Sequence, residues 1–132
     1  MLQLPLFAFG TLRRGECNHG CLAGAFDRVL PARLPGFAQV APLMIAREAA
    51  SLVDGELFCL TPATYETTLS ACDRLEELPT GNLIGHEYRR TAVRVQTDSG
   101  EFIAWVYASP DAECDADLLP LITAELQRIE NL

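Results

Sequence analysis

The sequence predicts an α+β domain, or a small barrel with its helices outside. About seven short β-type runs stand against two or three helical ones, and strands do not alternate regularly with helices. Hydrophobic residues make up 49% of the 132, enough for a sizeable core without disulfides or metal. No repeat, low-complexity tract or Pro/Ser-rich linker interrupts the chain, so residues 1–132 are read as a single domain.

Residues 4–9 read as a first buried strand, because Leu6 to Phe9 are apolar and Gly10 breaks the run. Asn18 can cap a short helix over 18–25, with Cys21, Leu22 and Ala25 at helical spacing. Pro31, Pro35, Gly36 and Pro42 interrupt residues 26–47, which suggests irregular strands of a curved sheet. "DGELFCL", residues 54–60, offers turn residues and then a β-type run. A helix over 62–78 follows, with Thr61 as N-cap and Pro62 at its first position. "EYRRTAVRVQTDSGEFIAWVYA" alternates on both sides of "TDSG", the pattern of a hairpin, with Trp105, Val106 and Tyr107 as strand core. The last segment is an amphipathic helix entered near Pro120, whose broad apolar face (Leu118, Leu121, Ile122, Leu126, Ile129) packs on its own core.

Ten basic and eighteen acidic residues leave a net charge of −8, and the chain has no lysine. Its arginines are scattered, which argues against nucleic-acid or anionic-membrane partners, since both need clustered positive charge. No stretch approaches the roughly 20 apolar residues of a membrane helix. The N-terminus lacks a charged region before its apolar run and reads as a strand rather than a signal peptide. The five cysteines, odd in number and unevenly spaced, read as reduced thiols, which places the chain in a cytoplasm.

One carboxylate lies on an unexpected face. Tyr65, Leu69, Cys72 and Glu76 form one helical stripe, flanked by Thr68 and Leu75, while Glu66, Ser70, Asp73 and Glu77 lie toward the other side. Glu76 therefore faces the apolar arc. Lost hydration and the nearby helix C-terminus would both raise its pKa, as general acid–base catalysis near neutral pH requires. The competing reading is a helix that ends early, with Glu76 turned to solvent or paired with an arginine such as Arg90.

Gly10 and Thr11 form a corner that ends the first strand, and Arg13 and Arg14 follow at once. Such a corner can use its N–H groups to hold an anion, although strands also end at plain Gly-Thr turns. Two further constellations are weaker. Cys17, His19 and Cys21 offer three metal ligands without an evident fourth, and no flanking motif supports a nucleophilic pair of His86 with Cys59 or Cys72.

Together these pieces resemble the γ-glutamyl cyclotransferase-like family, which includes γ-glutamylamine cyclotransferases and AIG2-like proteins. Members typically begin with a strand ending in Tyr-Gly-[Ser/Thr]-Leu, here Phe9-Gly10-Thr11-Leu12, followed by Arg13-Arg14-Gly15 and Asn18-His19. The "DGELFCL" strand leads into the helix and to Cys72-Asp73-Arg74-Leu75-Glu76-Glu77, which stands for a Leu-Asp-x-x-Glu-Gly-like segment. Tyr88-Arg89-Arg90 and the Ala104 to Tyr107 strand complete a match over about residues 5–108. Phe9 replaces the usual Tyr, and Glu77 stands where Gly is frequent.

The resemblance implies a small mixed β-barrel with flanking helices. It also implies conversion of a small γ-glutamyl amide or amine into 5-oxoproline and a free amine, without cofactor or metal. Glu76 would be the catalytic acid/base, and Phe9, Gly10, Thr11 and Leu12 would hold the glutamyl head, with Tyr88 and Arg90 completing the cavity wall. The irregular 31–50 and 79–87 segments would build the leaving-amine side. Partners reduce to that small substrate, in a monomer or weak homodimer. The alternative is a catalytically silent small-ligand-binding module of the same fold.

Overall fold

The computed structural model describes residues 3–10, 12–16 and 18–131. Its strands are β1 (Leu6–Ala8), β2 (Phe26–Ala41), β3 (Met44–Leu60), β4 (Arg89–Thr97) and β5 (Gly100–Ala108). They close a barrel in the order β1-β3-β2-β4-β5. The helices are α1 (Tyr65–Leu75) and α2 (Leu119–Glu130). The fold is α+β, a small mixed barrel flanked by helices, with five strands among the described residues rather than about seven.

The difference lies in residues 26–60. The prolines do not cut this segment into pieces; β2 and β3 run as one hairpin of 16 and 17 residues. Register shifts between Phe26 and Arg28, Pro35 and Phe37, and Gln39 and Ala41 absorb the irregular positions. β2 pairs in register with β4 only at Arg33↔Gln96, so the proline nitrogens sit on a strand with little second-side pairing to lose.

β1 is antiparallel to β3 and parallel to β5, and the Trp105 N–H donates to the Pro5 carbonyl at 2.8 Å. Its two faces serve two cores. Phe7 and Phe9 join a cluster drawn from all five strands, including Leu34, Ile45, Leu57, Val95 and Val106, which fills the barrel. Leu6 and Ala8 face a second cluster with Tyr65, Leu69 and Cys72 of α1. Burial on both faces explains why β1 is apolar without alternation. Gly55 lets β1 approach, since a Cβ there would lie 2.4 Å from the Ala8 carbonyl oxygen.

The helix starts differ in detail. Pro62–Thr64 is a 3₁₀ turn before α1, and the Thr61 hydroxyl donates to Asp27 at 3.1 Å instead of capping. Residues His19–Cys21 also form only a 3₁₀ turn, while Pro120 sits in the first turn of α2 as expected. Among the described residues no helix is long and apolar enough to cross a membrane.

Candidate active site

α1 ends in a tight backbone motif. The Glu77 N–H donates to the Arg74 carbonyl and the Leu78 N–H to the Asp73 carbonyl, both at 3.0 Å, which is a Schellman closure. That motif needs a left-handed residue, and Glu77 supplies it at φ 60°. The turn buries Leu78 and leaves Glu76 as the C-cap, half-buried at the end of the apolar stripe.

The Glu76 side chain lines a cavity of about 240 Å³, together with Phe9, Gly10 and Leu12 of the strand-one corner and with Tyr88. The helix does end before Glu76, yet the carboxylate has neither turned fully to water nor found an arginine. It makes no hydrogen bond or ion pair with any described residue. Burial, followed by repulsion from Glu77, pushes its pKa up to about 7. Half of its population is therefore ionised near neutral pH, which suits a group that must take and return a proton.

The corner is held from outside the cavity. The Gly10 carbonyl accepts from the Arg13 N–H at 3.1 Å and from Arg13 Nε at 3.2 Å. Arg14 grips Glu56 of β3 through its backbone N–H and its Nε, each at 2.8 Å. Burial works against the Glu56 charge, but those bonds to Arg14 outweigh it and hold the carboxyl below its usual range. The two arginines are thus fasteners of the corner rather than cavity lining. Gly10 does not adopt a positive φ, and a Cβ there would make only ordinary contact with Leu43 Cδ2 at 3.7 Å. His19 Nδ1 lies 3.0 Å from the Leu12 carbonyl and braces the loop from behind.

Thr11 and Cys17, two of the sequence-predicted positions, lie outside the described residues. Among the described residues no cluster of His, Cys, Asp and Glu could hold a metal. Cys72 is buried with its thiol pushed up to about 12 by desolvation, then by Cys21 and by Asp73 and Glu76, so it is no activated nucleophile.

Arg90 needs a correction, because it does not line the cavity. Its guanidinium is buried, donates to both oxygens of Asp73 at 2.8 and 2.9 Å and to Glu125 at 2.7 Å, and lies over the Trp105 ring. Asp73, placed on the water side by the helical wheel, is half-buried and also accepts from the Tyr107 hydroxyl at 2.6 Å. Arg128 continues the network to Glu125 and Glu66, which ties α2 to α1.

Seven lining residues were not singled out as site residues in the sequence: Phe7, Ala8, Asn18, Leu43, Leu75, Glu87 and Tyr107, of which Leu43 and Glu87 lie in the 31–50 and 79–87 segments expected on the leaving-amine side. Tyr107 read correctly as buried strand core, and nothing in its alternation said that one edge would face a cavity. The Tyr88 hydroxyl donates to the Leu43 carbonyl at 2.5 Å, which draws the β2–β3 turn over the site.

The chain is thus a closed mixed barrel with a carboxylate-bearing pocket at the end of its first strand, the fold of a recognised family. Residues 6–125 match the family described as gamma-glutamyl cyclotransferase, AIG2-like, and the chain belongs to that family. No curated protein matches it by sequence. Among solved structures it is similar to YkqA from Bacillus subtilis, with 25% identity and a TM-score of 0.64 over 85% of this chain and 37% of that one. The chain thus spans little more than a third of that relative. Arabidopsis thaliana At3g28950.1 is 18% identical with a TM-score of 0.60, over 97% of this chain and 78% of that one. A structure titled gamma-glutamyl cyclotransferase is 16% identical with a TM-score of 0.51, over 80% of this chain and 66% of that one. The latter two likenesses concern the fold alone.

Proposed function

We propose that the protein is a γ-glutamyl cyclotransferase that releases 5-oxoproline and a free amine from a small γ-glutamyl amide or amine. The observation that carries this reading is Glu76: half-buried, unpaired, with a pKa near 7, across a shared cavity from the Phe9–Leu12 corner. Family membership and the like-folded cyclotransferase support it.

The reaction is internal, so the effective concentration of its nucleophile is already high. Glu76 takes a proton from the substrate's α-ammonium, and the freed lone pair attacks the γ-carbonyl carbon to close the ring. As the tetrahedral centre collapses, the bond from that carbon to the leaving nitrogen breaks. The ring nitrogen sheds its second proton to water, and the departing nitrogen takes one from the Glu76 carboxyl, which restores the carboxylate; the released amine then takes up from water the proton that the ring nitrogen gave to it. Backbone N–H groups of the Gly10–Leu12 corner fix the glutamyl head through its α-carboxylate or the developing oxyanion. The chemistry calls for no cofactor or metal.

The test is 5-oxoproline release from a panel of γ-glutamyl amides and amines, with Glu76→Gln as the comparison. Turnover by wild type and its loss in a folded variant is the expected result; no product from any compound refutes it. Phe9, which lacks the hydroxyl common at that position in the resembling family, favours a second reading as a silent binding module. That reading predicts a thermal shift with glutamate-like ligands and no product.

A further inference from the structure

The cavity is unevenly charged, and its size makes that matter. At about 240 Å³ it falls below the ~300–1,000 Å³ of pockets that enclose whole drug-sized ligands. It accommodates a glutamyl head, so a leaving group of any length must cross the mouth. That mouth is lined by Leu43 and Leu75, 50% and 36% exposed, and by the exposed Glu87.

No arginine side chain lines this space, and the chain has no lysine. Arg13, Arg14, Arg89 and Arg90, close in sequence to the lining, are engaged elsewhere, and Arg89 donates to the Pro110 carbonyl at 2.9 Å. Arg90 is locked between Asp73 and Glu125, Arg14 on Glu56, and Arg13 on the Gly10 carbonyl with Glu16 at 3.7 Å. Glu87, in contrast, makes no hydrogen bond or ion pair with any described residue. Its field does reach the site, since it helps, after burial and Glu76, to raise the pKa of the neighbouring Tyr88 phenol. Glu87 is not among the groups that perturb Glu76.

We propose that Glu87 determines specificity by selecting leaving amines that carry a positive charge a few atoms beyond the scissile nitrogen. The leucine rim would take the intervening methylenes and Glu87 the distal ammonium. An anionic leaving group, such as one ending in a carboxylate, would meet an unpaired like charge. This inference rests on the cyclotransferase reading for its orientation: head at the Gly10 corner, amine at the mouth.

Three γ-glutamyl substrates of matched length test it, with 1,4-diaminobutane, n-pentylamine or 5-aminopentanoate as leaving amine. An exposed ion pair is worth up to about fivefold, so kcat/KM should fall from cationic to neutral to anionic, with roughly tenfold between the extremes. Glu87→Gln should narrow that ratio, Glu87→Arg should reverse it, and added salt should compress it. Equal kcat/KM across the three, or a ratio that neither variant moves, overturns the proposal. Absence of 5-oxoproline from all three, with release from other members of the panel, also overturns it, whereas absence from the whole panel refutes the cyclotransferase reading instead. Calorimetric binding of the same compounds to wild type and Glu87→Arg then decides the charge preference: cation-favoured and reversed supports it, charge-blind refutes it.

Discussion

Replacing Glu76 by Gln separates the cost of the site from its use. A carboxyl moved from its ordinary 4.5 to about 7 resists ionisation in the folded state. At about 1.36 kcal/mol per pKa unit, full burial would make that about 3 kcal/mol. Glu76 opens partly onto solvent through the cavity, and screening reduces the figure to roughly 2 kcal/mol. The folded chain holds a proton that the unfolded chain gives up, so unfolding releases a proton between pH 4.5 and 7. The protonated carboxyl therefore costs nothing below pH 4.5, and stability drains as pH rises through 7. Gln does not titrate and escapes the loss. Glu76→Gln should match wild type at pH 4.5 and exceed it by roughly 2 kcal/mol at pH 8, which is roughly 6–10 °C in Tm for a chain of this size. Urea denaturation across pH 4.5–8.5 measures the difference. Two curves that stay parallel across that range would show that position 76 is not desolvated, and the catalytic argument would fall with it. The same variant should release no 5-oxoproline, a gain in stability with a loss of activity that no folding defect can imitate.

Two further substitutions test the supports of the site. Glu77→Gly relieves a left-handed conformation that costs an L-residue about 1–2 kcal/mol, partly offset by glycine's greater unfolded-state freedom. It should raise stability by up to about 1 kcal/mol and Tm by a few degrees; a fall would show that position 77 carries no strain. Asp73→Ala leaves the buried Arg90 with Glu125 alone and strips the Tyr107 hydroxyl of its acceptor. Loss of one partner from a buried pair costs about 3 kcal/mol or more, so the urea midpoint should drop sharply, and a change under about 1 kcal/mol would refute the clamp.

Local pattern carried a good deal of the fold. The continuous apolar run of β1, the stripe on α1, the hairpin around "TDSG" and the helix entry at Pro120 all follow from neighbours within a few positions. Glu76 was legible for the same reason, because a helical period of 3.6 residues alone turns it toward the apolar arc. The strand count was not legible. Prolines that punctuate a sequence are absorbed by bulges once β3 provides a continuous partner.

The sequence by itself determined which residues have amphipathic order, where the first strand must stop, and which carboxylate on α1 faces inward. Only the tertiary structure decided what the charges and the cavity would become. Arg90 looked like a wall residue, yet it is neutralised by Asp73 and by Glu125, 35 positions away. Leu43 and Glu87 reach the cavity because barrel closure brings distant turns together, with Tyr88 holding Leu43 across 45 positions. The physical reason is range. Periodicity is set by backbone geometry over one or two turns, whereas desolvation and ion pairing depend on which remote groups arrive to displace water.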